Sequence, residues 1–128
     1  MAVDLAMPIL IVDDYKTMRS IVATQLGQLG FTNIDTVGDG DTALERLQAQ
    51  PHGLIIADWN MEPMSGYELL LEVRANPDLA QTPFMMMTAD SNADNVVAAN
   101  AAGVNSFIVK PFATQTLKIK LEAVIGAF

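Results

Sequence analysis

The chain alternates between short, wholly apolar runs and longer stretches in which apolar residues recur every three or four positions. Residues 9–13 read as a buried strand. From Tyr15 to Leu29, Met18, Ile21, Val22, Leu26 and Leu29 keep a helical period, and Gly30 is a natural stop. NIDTV (33–37) mixes polar and apolar positions as a strand near a sheet edge does. GDGDTALERLQAQ opens on turn residues and then places Ala43, Leu44 and Leu47 on one helical face. LIIAD (54–58) is a second buried strand. Ser65 with Glu68 three residues on is a capping-box pattern, opening a helix through Leu69, Leu70 and Val73 that ends at Asn76-Pro77. PFMMMT (83–88) and SFIV (106–109) are further apolar strands, separated by the Ala-rich helix NADNVVAANAAG. Leu117, Leu121, Val124, Ile125 and Phe128 form the apolar stripe of a last helix.

This is a strand–helix unit repeated five times. It predicts an α/β domain with a parallel sheet and helices on both faces. Four of the strands are apolar throughout, as strands covered on both sides are. In such sheets a site forms at the carboxyl ends of the strands, near the point where strand order reverses.

Composition narrows the function. With 128 residues and 51% hydrophobic residues, the chain suits one globular domain with a sizeable core. Its net charge of −8 argues against direct nucleic-acid binding. The longest uncharged run, Asn95 to Val109, falls short of the roughly 20 apolar residues that a membrane span needs. The start, MAVDLAMP, lacks the basic region of a signal peptide, and no residues remain after the last helix for an output domain. The absence of cysteine excludes disulfides and thiolate metal sites and fits a reducing, cytoplasmic setting. The expectation is a single domain over residues 1–128, cytoplasmic and monomeric.

The ends of the apolar strands carry the candidate chemistry. The first ends in Asp13-Asp14, the next in Asp58, then Thr88, then Lys110. Taken singly, an aspartate is a helix cap or turn residue, Thr88 a strand-end hydroxyl and Lys110 a solvated lysine. Together they place three carboxylates, a hydroxyl and an ammonium on one edge of the sheet. A hard divalent cation among the carboxylates makes their repulsion tolerable, and Mg2+ prefers such oxygen ligands. Without a cation, at least one carboxylate should have a raised pKa. His52, Met85, Met86 and Met87 read as loop and core residues.

These residues, in the stretches ILIVDD, LIIADWNMEPMSGYELL, MMMTAD and SFIVKPF, resemble response-regulator receiver domains from about Pro8 onward, most of all the stand-alone chemotaxis (CheY-type) members. The resemblance implies a flavodoxin-like fold with strand order 2-1-3-4-5. It implies that Asp58 takes a phosphoryl group from a CheA-like histidine kinase, with Mg2+ (or Mn2+) held by Asp13, Asp14, Asp58 and the backbone carbonyl of Asn60. Thr88 and Lys110 would bind phosphoryl oxygens, Thr88 and Phe107 would form the switch, and Asn60 and Asp90 would tune dephosphorylation. The Lys110-Pro111 bond would be cis. Further implied partners are a flagellar motor switch protein and a phosphatase. The protein would be a signalling acceptor that assists its own phosphorylation and dephosphorylation, not an enzyme with an external substrate.

Three departures stand out. Phe107 replaces the tyrosine of the chemotaxis type, Pro63 in MEPMSG falls one position late, and SNAD (91–94) lacks the lysines found there in enteric members. A phosphate sink without motor binding is one alternative. A haloacid-dehalogenase-like phosphotransferase is another, but it needs Asp-x-Asp where this chain has an adjacent pair. A flavodoxin-type carrier needs hydroxyls in place of the carboxylates after the first strand.

Overall fold

In the computed structural model, which describes residues 3–89 and 92–128, each predicted apolar run forms one parallel strand. The order along the chain is β1 (Ile9–Val12), α1 (Lys16–Gln28), β2 (Ile34–Val37), α2 (Gly40–Ala49), β3 (Leu54–Asp58), α3 (Gly66–Ala75), β4 (Phe84–Thr88), α4 (Ala93–Ala101), β5 (Ser106–Val109) and α5 (Thr114–Ile125). The five strands lie in the order β2-β1-β3-β4-β5. Chain direction across the sheet therefore reverses after β2, and the crevice at that switch opens between the ends of β1 and β3.

Alternation along each strand divides the core in two. Ile9, Ile11, Leu54, Ile56, Met85 and Met87 face α1 and α5. Leu10, Val12, Ile55, Ala57, Phe84 and Met86 face the opposite way, under α2 and α3. All these side chains are fully buried, so the three central strands have no solvent face. The methionine run thus divides between the two cores. β5 departs from the expectation of double cover: it is the sheet's edge, and Val109 is 46% exposed. An apolar sequence alone does not distinguish a buried central strand from an apolar edge.

Local chemistry sets the helix starts. Ser65 Oγ accepts from the Glu68 N–H at 3.1 Å and Glu68 Oε1 accepts from the Ser65 N–H at 3.2 Å, completing the capping box of α3. Asp39 caps α2 through the Thr42 N–H at 2.7 Å, and Asn92 caps α4 through the Asp94 N–H at 2.8 Å. The first strand stops at Val12, one residue earlier than expected, because Asp13 turns its side chain to the Tyr15 N–H at 2.9 Å.

Gly66, the first residue of α3, meets the end of β3 so closely that a Cβ would lie 2.2 Å from the Asp58 carbonyl oxygen and 2.9 Å from Met86 Sδ. The Gly66 N–H donates to the Trp59 carbonyl at 2.9 Å. This contact sets the height of Asp58 relative to α3. Backbone, not a flexible side chain, blocks the space. Gly66→Ala should therefore destabilise the fold by about 3 kcal/mol, read as a lower urea midpoint at unchanged m-value. A wild-type midpoint would contradict the close approach.

Candidate functional site

Parallel strands in register deliver the polar groups to one edge. Asp58 is the last residue of β3 and pairs with Met87, so Thr88 at the end of β4 stands one residue further along. Asp13 follows β1, whose Val12 pairs with Ala57. Lys110 follows β5, and its N–H donates to the Thr88 carbonyl at 2.7 Å. One carboxylate oxygen from each of Asp13, Asp14 and Asp58 lies within 4.8 Å of the other two. Asp13, Asp58 and Thr88 are buried, whereas Asp14 is exposed and forms the open side.

Lys110 is the cationic counterweight. Its Nζ lies 3.0 Å from Asp58 Oδ1 and 3.5 Å from Asp13 Oδ2. Among the described residues, Oδ1 has the Lys110 ammonium as its close partner and no further hydrogen bond, although it is buried. Burial, reinforced by the nearby charge of Asp13, raises the pKa of Asp58, while Lys110 and the Asn60 N–H act in the opposite direction. Burial is the largest of these influences, and the charge of Asp13 offsets part of what Lys110 gives back. The expected raised carboxylate is therefore Asp58.

A buried oxygen with no further hydrogen bond, beside two further carboxylates, suits a hard cation that binds oxygen and keeps some of its own water. Asp13 has both of the roles open to it from the sequence. Its Oδ1 accepts from the Tyr15 N–H as a turn residue does, and its Oδ2 faces Lys110. Asn60 and Asp14 line one pocket of about 260 Å3 on the open side. Phe107, half-buried on β5, has its ring 6.1 Å from that of Trp59, which stacks on Tyr67 at 5.4 Å. The Lys110-Pro111 bond is cis, as the resemblance implied, and so is Glu62-Pro63, which it did not. Asp90 lies outside the described residues, as does Ser91 of SNAD.

Several supporting residues have no signal in the sequence. Arg19 Nη1 donates to the Asp13 carbonyl at 2.6 Å, holding the turn that carries both aspartates. Gln25 Nε2 donates to the Phe112 carbonyl at 2.8 Å, tying α1 to the loop after Lys110. Both are ordinary polar positions on a helix. Gly66 does have a signal, since it directly follows a capping serine near the end of a buried strand.

The raised pKa fixes the sign of a stability effect. Asp58 holds its proton more tightly in the folded chain than in the unfolded one. The stability this contributes is fully present below the ordinary carboxylate range and is lost as pH rises through the raised folded value. Metal-free Asp58→Asn, which carries no charge there, should therefore melt higher at neutral pH. The expected gain is about 3–5 °C, the shift that roughly 1 kcal/mol produces in a domain of this size. The gain should shrink as pH is lowered. Equal melting temperatures at neutral pH would contradict it.

Comparison with known proteins agrees with this geometry. Residues 9–122 match the family model of the response regulator receiver domain. The chain is 46% identical over 118 residues to the chemotaxis protein CheY of Pseudomonas aeruginosa, covering 92% of this chain and 95% of that protein. It superposes on the chemotaxis protein CheY4 of Vibrio cholerae with a TM-score of 0.87 at 32% identity, covering 93% of this chain and 98% of that one. The receiver domain of the sensor histidine kinase PA1611 from Pseudomonas aeruginosa, with a magnesium ion coordinated in its active-site cleft, gives 0.85 at 26% identity, covering 95% and 99%. A five-stranded parallel sheet of this order, with its acidic cluster at the carboxyl edge, places the chain in the response regulator receiver domain family.

Proposed function

We propose that this chain is a chemotaxis-type response regulator that accepts a phosphoryl group on Asp58 from a histidine kinase. The observation that carries the reading is the Asp58 carboxylate itself. It is buried at a strand end, within 4.8 Å of the Asp13 and Asp14 oxygens and 3.0 Å from the Lys110 ammonium. For a purely structural carboxylate, burial and the neighbouring Asp13 charge work against the ion pair with Lys110.

Asp13, Asp14, Asp58 and the Asn60 carbonyl would hold Mg2+. Bound there, the ion offsets the negative charge of the carboxylates and of the incoming phosphoryl oxygens. An Asp58 oxygen attacks phosphorus in line with the phosphohistidine P–N bond. The new O–P bond forms as the P–N bond breaks, and the imidazole leaves with the electron pair and takes up a proton. Lys110, held over Asp58, binds one equatorial phosphoryl oxygen and reduces the cost of charge gathering there. The Thr88 hydroxyl, at the neighbouring strand end, binds another. Its inward shift makes room for Phe107 to turn in, altering the surface of α4, β5 and α5. Lacking a phenolic hydroxyl, Phe107 signals by packing alone.

A partner-binding output is favoured over a phosphate sink by what those elements expose. Val97 on α4, Val109 on β5 and Ile119 on α5 are 67%, 46% and 59% exposed. A partner preferring the phosphorylated shape would stabilise it by linkage. The reading takes a CheA-like kinase as donor and a flagellar motor switch protein as receiver of the signal.

Phosphoryl labelling from acetyl phosphate tests the assignment. Asp58→Asn should abolish it, and chelation of divalent metal should do the same. Lys110→Ala should slow it by about 100-fold or more, with a smaller effect on Mg2+ binding. Full labelling of Asp58→Asn would overturn the reading. Capture of flagellar switch protein should depend on a phosphoryl mimic at Asp58, and capture that ignores the mimic would remove the motor assignment.

A further inference from the structure

Glu62 sits in the loop between β3 and α3, one residue after Met61, whose side chain is 5% exposed and anchors that loop in the core. Glu62 itself is exposed. It occupies the place created by the late proline of MEPMSG, where the chemotaxis type runs directly from Met to Pro. Glu62 lines the pocket of about 260 Å3 whose other walls are Asp14, Asn60 and Met61. Two of those residues are proposed cation ligands, so the pocket is the solvent-side mouth of the phosphoryl site.

Two observations place Glu62 outside both the ion pairs and the direct ligand set. Among the described residues, no lysine or arginine pairs with Glu62, since the ion pairs present join Arg46 to Asp35, Lys110 to Asp13 and Asp58, and Lys118 to Glu122. Nor is Glu62 one of the carboxylates whose oxygens gather within 4.8 Å. A fourth carboxylate at the mouth leaves Lys110 facing an excess of negative charge, which a bound cation would offset. The pocket has room for bridging water, and Mg2+ characteristically keeps several of its waters. A carboxylate lining the same pocket as Asp14 and Asn60 can act on such an ion through those waters and through space. It also repels small anions approaching by the same opening.

Resting on the function proposed above, we infer that Glu62 is a specificity-determining residue of the phosphoryl site. Its carboxylate strengthens divalent-cation binding through water and slows phosphorylation by small, freely diffusing anionic phosphodonors. Phosphotransfer from a docked protein phosphohistidine is less affected, because docking energy offsets the repulsion.

The test is calorimetric titration with MgCl2 at low and high ionic strength, paired with labelling by acetyl phosphate at saturating Mg2+. Glu62→Gln should weaken Mg2+ binding about two- to fivefold at low salt, and the difference should shrink at high salt as a screened interaction does. Labelling by acetyl phosphate should rise by a similar factor. Glu62→Lys should move both quantities further in the same directions. Glu62→Asp should stay near wild type, as should Glu72→Gln on the exposed face of α3. If the wild type binds Mg2+ and Glu62→Gln matches it in affinity or in labelling rate, this inference is overturned while the phosphoryl-acceptor reading stands. If the wild type binds no Mg2+, both fall together.

Discussion

Everything at the carboxyl edge of this sheet follows from one electrostatic conflict. Two aspartates that are all but buried, and a third at the surface, bring oxygens within 4.8 Å of one another. A single ammonium, nearest to Asp58, opposes them. In water such repulsion is cheap, but at a site walled by apolar strands it is not. The pKa of Asp58 rises because that carboxylate is buried, and the charge of Asp13 adds to the rise. A divalent cation resolves it, and a phosphoryl group brought in with the cation becomes part of the resolution. In the proposed function, cation binding and phosphoryl transfer would be successive ways of neutralising one patch of charge.

The fold is the device that maintains the conflict. β1, β3 and β4 are buried on both faces, so their ends cannot relax outward without opening two cores at once. Gly66 presses the start of α3 against the Asp58 carbonyl, and Arg19 fixes the Asp13 carbonyl from α1. The edge strand β5 is the less constrained part. It carries Phe107, which leans on Trp59, and it leads into Lys110. The fixed geometry of the charges and the less enclosed packing of Phe107 therefore lie on different strands of one sheet.

Much of this was legible in the sequence because four of the five strands announce themselves as apolar runs that end in, or lead directly into, a polar residue. LIIAD and SFIV coincide with β3 and β5, and the capping box at Ser65 and Glu68 locates α3. The pattern does not carry what depends on distance in space. That β5 lies at an edge, that Trp59 stacks on Tyr67, and that Arg19 and Gln25 reach neighbouring loops are consequences of packing. The same holds for Glu62. Its displacement of the proline is visible in the sequence, but its place at the mouth of the site is visible only in the folded chain.

The central claim is that the Asp58 carboxylate is held in an unfavourable charged state that a divalent cation relieves. The direct measurement is a pH titration of the Asp58 side-chain carboxyl carbon by NMR, first in metal-free protein and then with saturating Mg2+. The account predicts a pKa above the ordinary carboxylate range without metal, and a marked fall when Mg2+ is added. An ordinary pKa in metal-free protein that Mg2+ leaves unmoved would contradict it.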